Sequence, residues 1–300
     1  MDWLLFTFPE NEELGIKLLS SKGIERGDFV VRRFPDSETY IRIKSEVRNK
    51  NICMLCTLDR PDDKILKIYF FTQIARDLGA RSILLVAPYL SYMRQDKIFN
   101  KGEGVTANLF ANLVDNWLDA LITFDPHLHR FQDLSQLYRI PTLTLHSEPL
   151  IQDFIKLQVE NPVLIGPDQE SEQWVARVAH EIDCDFTVLR KKRLGDRQVK
   201  IEIPSAEKFR KHTPVLIDDI ISSGRTMVET IKHLKQNKLK SPICIGIHAI
   251  FADHAYQDMM EAGAASIITT NTISHFSNHL DVSHILEKAI TQGLDPFLHF

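Results

Sequence analysis

The residues best equipped for chemistry lie in one short run, Asp218-Asp219-Ile220-Ile221-Ser222-Ser223-Gly224-Arg225-Thr226. Two adjacent carboxylates can receive sugar hydroxyls or a hydrated Mg²⁺. Ser222, Ser223 and Thr226 supply hydroxyl donors for a phosphate, and Gly224 lets backbone approach a ligand closely. An apolar stretch, residues 215–217, precedes the run, and an amphipathic stretch, residues 225–235, follows it. That order predicts a strand, a tight turn and a helix N-terminus, whose free amides and positive dipole end favour a phosphate. The plain alternative for an isolated Asp-Asp pair is an acidic strand end with a Ser/Gly helix cap. The chain contains no Walker A pattern, which excludes a P-loop kinase.

Other polar residues stand beside strand-like runs. Arg33-Phe34-Pro35-Asp36-Ser37-Glu38 leads into Thr-Tyr-Ile-Arg-Ile and, by itself, reads as an edge strand with alternating side chains. Tyr89-Leu90-Ser91-Tyr92-Met93-Arg94-Gln95-Asp96-Lys97 reads as a charged loop after a buried strand. Asp125-Pro126-His127-Leu128-His129 follows the apolar run 120–124. A lone His is commonly structural, but two His residues and an Asp just beyond a strand end narrow that margin. Asp168 sits between an apolar run and a helical pattern, where a helix cap is the plain reading. Residues 190–200 hold six basic side chains and one acid. Such a run is commonly a solvated face, yet its Gly195 also suits a mobile loop.

These residues need elements to hold them. Apolar runs at residues 4–8, 52–58, 82–87, 120–124, 163–165, 215–217, 243–247 and 266–270 predict strands. Helical spacing appears at 64–78, 106–117, 170–182 and 225–235, with Thr106 the expected N-cap of the second. Alternating strands and helices predict parallel sheets covered by helices on both faces, with ligands beyond the carboxyl ends of the strands. The run Arg139-Ile140-Pro141 to Glu148-Pro149 interrupts the helical pattern and carries two prolines. It divides the chain into expected domains at 1–145 and 146–300.

The chain has 300 residues, 44% hydrophobic and 25% charged, enough for a sizeable core. Its net charge of −4 argues against a protein that wraps nucleic acid. No apolar run approaches the ~20 residues of a membrane span, and the first ten residues carry acids rather than a basic leader. A cytoplasmic location is the default. Four cysteines are too few for a disulfide scaffold, and Cys53 and Cys56 lie in an apolar run that predicts burial rather than zinc binding.

The run 218–226 resembles the phosphoribosyl-binding loop of the type I phosphoribosyltransferase fold, Asp-Asp-x-x-x-Ser/Thr-Gly-x-Thr. With the segments at 33–38, 89–97, 125–127, 164–171 and 190–193, the chain resembles the ribose-phosphate diphosphokinase (phosphoribosyl diphosphate synthetase) family over nearly its whole length. The resemblance implies an α/β fold of two tandem phosphoribosyltransferase-like domains, each an open, mostly parallel sheet flanked by helices. It implies transfer of a diphosphoryl group from ATP to the 1-hydroxyl of ribose 5-phosphate, with Mg²⁺ as cofactor.

By the same resemblance Phe34, Asp36 and Glu38 contact the adenine of ATP across a subunit interface, and Arg94 and Gln95 also hold ATP. His127 and Asp168 serve Mg²⁺. Asp218, Asp219, Ser222, Ser223, Gly224 and Thr226 bind ribose 5-phosphate. Lys191 and Arg193 are catalytic, with Lys192 the alternative if the register shifts by one. A homo-oligomer is implied, a dimer or a hexamer of dimers, with neither nucleic acid nor membrane as partner. The chain departs from the family pattern at Ser37, where glycine is usual, at Phe99, where many members have an acid, and at Gln169-Glu170-Ser171, where the diphosphate loop is usually glycine-rich. A phosphoribosyltransferase and a non-catalytic regulatory homologue are the competing functions.

Overall fold

The computed structural model describes residues 2–128, 130–167, 171–193, 199–202 and 206–292. In chain order the elements are β1 (Trp3–Thr7), α1 (Glu12–Leu18), β2 (Ile24–Arg26), β3 (Phe29–Arg33), β4 (Thr39–Ile43), β5 (Asn51–Leu55), α2 (Asp62–Asp77), β6 (Ser82–Ala87), α3 (Thr106–Val114), β7 (Ala120–Phe124) and β8 (Thr142–Leu145). There follow α4 (Glu148–Gln158), β9 (Pro162–Gly166), α5 (Glu172–Glu181), β10 (Asp185–Val188), β11 (Arg190–Arg193), β12 (Val199–Glu202), β13 (Thr213–Ile221), α6 (Arg225–Gln236), β14 (Ile243–Ala249), α7 (Ala255–Ala262), β15 (Ser266–Thr270), β16 (Asn278–Leu280) and α8 (Ser283–Gln292). Two compact units result: Met1–His146 together with α8, and Ser147–Asp281.

The first unit is a six-stranded parallel sheet in the order β2-β1-β5-β6-β7-β8. Its central strands are apolar on both faces, as a sheet covered on both sides requires: all five residues of β5 and of β7 are buried. One core face is aromatic, with Phe6 and Phe29 packed edge-on against Phe71 of α2 at centroid distances of 4.9 and 5.3 Å. α8 returns to this unit and packs on α1 and β8.

The second unit repeats the winding, with a parallel sheet ordered β10-β9-β13-β14-β15-β16. Period-two alternation divides its core. Leu216 points with Val163 and Ile165 toward Met227, Ile231 and Leu234 of α6. Its neighbours Val215 and Ile217 point the other way, toward Ile151, Ile155 and Val175. In both units an antiparallel hairpin is inserted between the second and third sheet strands, β3–β4 in the first and β11–β12 in the second.

Each apolar run expected as a strand is one, and the four expected helices are present. Other details differ. β13 spans nine residues, so Asp218 and Asp219 lie within the strand rather than beyond it. The interrupting run before Pro149 contains β8, an edge strand. Residues 190–193 form a strand of the second hairpin rather than a loop. Thr106 is the first residue of α3, capped by Val105; its hydroxyl donates instead to the Tyr92 carbonyl at 3.4 Å.

Candidate functional site

The strand order of the second unit reverses between β9 and β13, and a crevice at such a point lies beyond the carboxyl ends of both strands. β13 outruns its neighbour there. Its pairing with β9 stops at Leu216, whereas its pairing with β14 continues to Ile221. The extension carries Asp218 and Asp219, both half-buried. Their carboxylates accept from the main chain, Asp218 from the Asp219 amide at 3.1 Å and Asp219 from the Ile220 amide at 2.8 Å.

Ser222 and Ser223 then turn the chain into α6. Gly224 is the N-cap of that helix, with φ 64° and ψ 0°. That left-handed conformation costs glycine little, and an added Cβ would lie 3.2 Å from the Ala255 Cβ. The turn is braced from behind, since the amides of Phe251 and Ala252 donate to the carbonyls of Ile221 and Ser222 at 2.9 and 3.0 Å. First-turn amides of a helix have no acceptor within the helix. Asp218, Asp219, Ser222, Ser223, Gly224 and Thr226 therefore gather at one strand end that offers carboxylates for hydroxyls and donors for an anion.

Two segments of the first unit converge on the start of α2. Phe34, Asp36 and Glu38 form the turn of the β3–β4 hairpin, closed by the Phe34 amide on the Glu38 carbonyl at 2.8 Å. Ser37 adopts φ 73°, a left-handed conformation that glycine takes freely and serine at a cost. The Phe34 ring is exposed, and the Arg32 guanidinium lies between it and the Tyr40 ring, at 4.5 and 4.4 Å from the two centroids. Arg33 pairs with Asp63 of α2 at 2.9 Å.

The second segment carries Arg94, exposed, and Gln95, half-buried. Tyr92, two residues before Arg94, has φ 63°, and its hydroxyl donates to Asp62. Burial, with the adjoining Asp62 carboxylate, pushes the Tyr92 phenol up to about 12. The Gln95 carbonyl accepts from the Ala107 amide at the start of α3 at 3.3 Å. Farther along, Phe99 is exposed beneath the Lys97 ammonium, 4.8 Å from the ring centroid. The Glu103 carboxylate accepts from the Phe99 and Asn100 amides at 2.7 and 2.8 Å.

At the carboxyl end of β7, Asp125 and the half-buried His127 are joined by a residue that sequence reading missed. His146 Nδ1 lies 2.9 Å from an Asp125 carboxylate oxygen. The pairing follows from register: Phe124 faces Leu145 across parallel β7 and β8, so the next residue of each strand meets its counterpart. A strand assigned to residues 142–145 would have revealed it. Among the described residues no group of three or more His, Cys, Asp or Glu is placed to hold a metal ion. Imidazoles favour softer metals, so among Asp125, His127 and His146 the Asp125 carboxylate is the donor suited to a hard cation such as Mg²⁺, which keeps several waters and binds through one or two carboxylates plus substrate phosphates.

Asp168 lies outside the described residues. Lys191, Lys192 and Arg193 are placed as backbone of β11, paired with Ile201, Lys200 and Val199 of β12; their side chains are outside the description. The cysteines are free thiols, and burial raises those of Cys53, Cys56 and Cys244. No helix among the described residues is long and apolar enough to cross a membrane.

Residues 3–117 match the family profile described as the N-terminal domain of ribose phosphate pyrophosphokinase, and residues 133–285 match the phosphoribosyl transferase domain. The chain is 31% identical over 271 residues to a ribose-phosphate pyrophosphokinase of Methanobrevibacter smithii, covering 86% of this chain and 90% of that protein. It is 30% identical over 259 residues to the enzyme of that name from Sulfolobus acidocaldarius, covering 85% and 88%. The fold resembles the crystal structure of phosphoribosylpyrophosphate synthetase from Mycobacterium smegmatis, with a TM-score of 0.85, 20% identity, and coverage of 97% and 98%.

Proposed function

The chain belongs to the ribose-phosphate pyrophosphokinase family, and on that premise we propose that it transfers the diphosphoryl group of Mg·ATP to the 1-hydroxyl of ribose 5-phosphate, giving phosphoribosyl diphosphate and AMP. The observation that carries this reading is the strand end at 218–226. It combines two carboxylates with a helix-starting turn rich in hydroxyl and amide donors.

The 5-phosphate sits on Ser222, Ser223, Gly224 and Thr226, where amides and hydroxyls meet its oxygens. The ring hydroxyls face Asp218 and Asp219. ATP is held by Arg94 and Gln95, and its adenine by Phe34, Asp36 and Glu38. Arg94 offers charge-assisted bonds to phosphate. His127 and Asp168 would hold Mg²⁺, with Asp125 and His146 beside the former; when bound, the ion neutralises charge on the ATP phosphates.

The ribose O1 attacks the β-phosphorus in line. Its proton is lost, with Asp218 or Asp219 within reach of the sugar as candidate acceptor. The bond from the β-phosphorus to the α,β-bridging oxygen breaks, and AMP leaves with that oxygen. Catalysis of this kind rests on alignment and charge neutralisation more than on covalent chemistry. Lys191 and Arg193, on the inserted hairpin, supply positive charge to the transferring group.

The hairpin turn with its exposed Phe34 supports a homo-oligomer, dimer or hexamer of dimers, in which the turn reaches a neighbour's nucleotide. A cytoplasmic location suits the soluble phosphorylated substrates. The test is release of AMP from ATP strictly dependent on ribose 5-phosphate, with phosphoribosyl diphosphate accumulating. Consumption of phosphoribosyl diphosphate in its place would identify a phosphoribosyltransferase, and no turnover would identify a non-catalytic homologue.

A further inference from the structure

The first turn of α2 touches both segments assigned to ATP. Asp62 and Asp63 are its first two residues, and both side chains face outward into partners from distant parts of the chain. Asp62 accepts from the hydroxyl of Tyr92, two residues ahead of Arg94. Asp63 accepts from Arg33, one residue ahead of Phe34, at 2.9 Å.

The Tyr92 contact has a further feature. A bulky aromatic residue with φ 63° is a backbone outlier, and such conformations persist only where surrounding contacts over-determine them. Tyr92 is fixed three times: its hydroxyl by Asp62, its carbonyl by the Thr106 hydroxyl at 3.4 Å, and its ring by Phe110 at 4.9 Å between centroids. The outlier turns the chain so that Met93 is buried while Arg94 is exposed.

Acidic residues at a helix N-terminus ordinarily stabilise the helix dipole. Here they also fix the starting points of two ligand-facing segments. We infer that Asp62 and Asp63 are positioning residues for the nucleotide: through Tyr92 and Arg33 they set the placement of Arg94 and of the Phe34 turn. The inference rests on the proposed reading that these segments hold ATP. Asp63 and Arg33 are both exposed, and exposed pairs add little to global stability. Their loss should therefore appear in nucleotide affinity rather than in melting.

The test compares Asp62→Ala, Asp62→Asn, Asp63→Ala, Tyr92→Phe and the Asp62→Ala/Tyr92→Phe double variant with the unaltered protein. The readouts are KM for ATP, KM for ribose 5-phosphate, kcat and melting temperature. Each Ala variant and Tyr92→Phe should raise KM for ATP roughly three- to tenfold, the scale of one net hydrogen bond. KM for ribose 5-phosphate should stay within about twofold, because that substrate is bound by the other unit. The double variant should be no worse than either single change, since both remove one bond. Asp62→Asn keeps an acceptor but loses the charge, so it should return KM for ATP to near the original value.

Unchanged KM for ATP in the Ala variants would overturn the inference. So would an Asn variant as impaired as Ala, which would mark a dipole role, or equal rises in both KM values with a lowered melting temperature. If the unaltered protein itself releases no AMP, the functional reading fails and takes the inference with it. A failure confined to the variants sinks the inference alone.

Discussion

Gly224 lies where the chemistry and the backbone make the same demand. Its φ of 64° would cost an L-residue about 1–2 kcal/mol, and a Cβ there would crowd Ala255 at 3.2 Å. Gly224→Ala should lower stability by that order and weaken ribose 5-phosphate binding, measured by calorimetric titration. Lys191 makes the opposite case. As proposed, its charge matters only while the diphosphoryl group moves. Lys191→Ala should then reduce kcat by about 10²–10³, by analogy with loss of an oxyanion donor, and leave KM for ribose 5-phosphate and the melting temperature near their original values. A near-normal kcat would redirect the assignment to Lys192 or Arg193. Legibility differs between residues for a physical reason. Asp218 to Thr226 could be read in sequence because neighbours in a tight turn are neighbours in space. His146 could not, because it meets Asp125 only through the register of two parallel strands.

At the scale of elements, the apolar cores of the strands were legible and their ends were not. Residues 215–217 announce a buried strand, yet β13 continues through two aspartates because β14 still pairs with it. Polar composition cannot signal a strand whose last residues are held on one side only. The hairpins were only partly legible for a similar reason: alternation at residues 33–43 reads as an edge strand, but a hairpin that pairs with itself and carries as much charge as the run at 190–200 resembles a solvated loop. Gly246 shows how closely the extended strand is seated. It faces Asp218 in register, and the Ile221 side chain occupies the space where its Cβ would be, with Cδ1 at 2.5 Å. Gly246→Ala should push Ile221 aside, destabilise the second unit by about 1–3 kcal/mol, and loosen the turn that starts at Ser222. Denaturant melts should register the first effect and reduced ribose 5-phosphate affinity the second. An unchanged melt would show that Ile221 repacks without strain.

For the molecule as a whole, the repeated winding was not visible as a sequence repeat, because apolar substitutions within a covered sheet preserve topology without preserving identity. The destination of α8 was also illegible. An amphipathic helix shows which of its faces is apolar but not which core receives it. Leu286, Ala289 and Ile290 are buried, and the helix packs on α1 and β8 of the first unit. Removing residues 283–300 should therefore destabilise the first unit, by on the order of 3–6 kcal/mol for the lost Leu and Ile burial. In a Trp174→Phe background, fluorescence reports on Trp3 and Trp117 of that unit, and its transition should move to lower temperature. An unmoved transition would place the helix elsewhere.

The return of α8 also sets an order of events during synthesis. The ribosome releases the first unit's sheet before any of the second, yet the helix that covers α1 and β8 emerges only after residue 281. The half that is made first is the half that is finished last. A released chain that ended before Ser283 would carry a second unit with every element it needs, and a first unit still lacking its final layer. Chaperones that recognise exposed apolar surface should dwell on that earlier half, at the uncovered faces of α1 and β8.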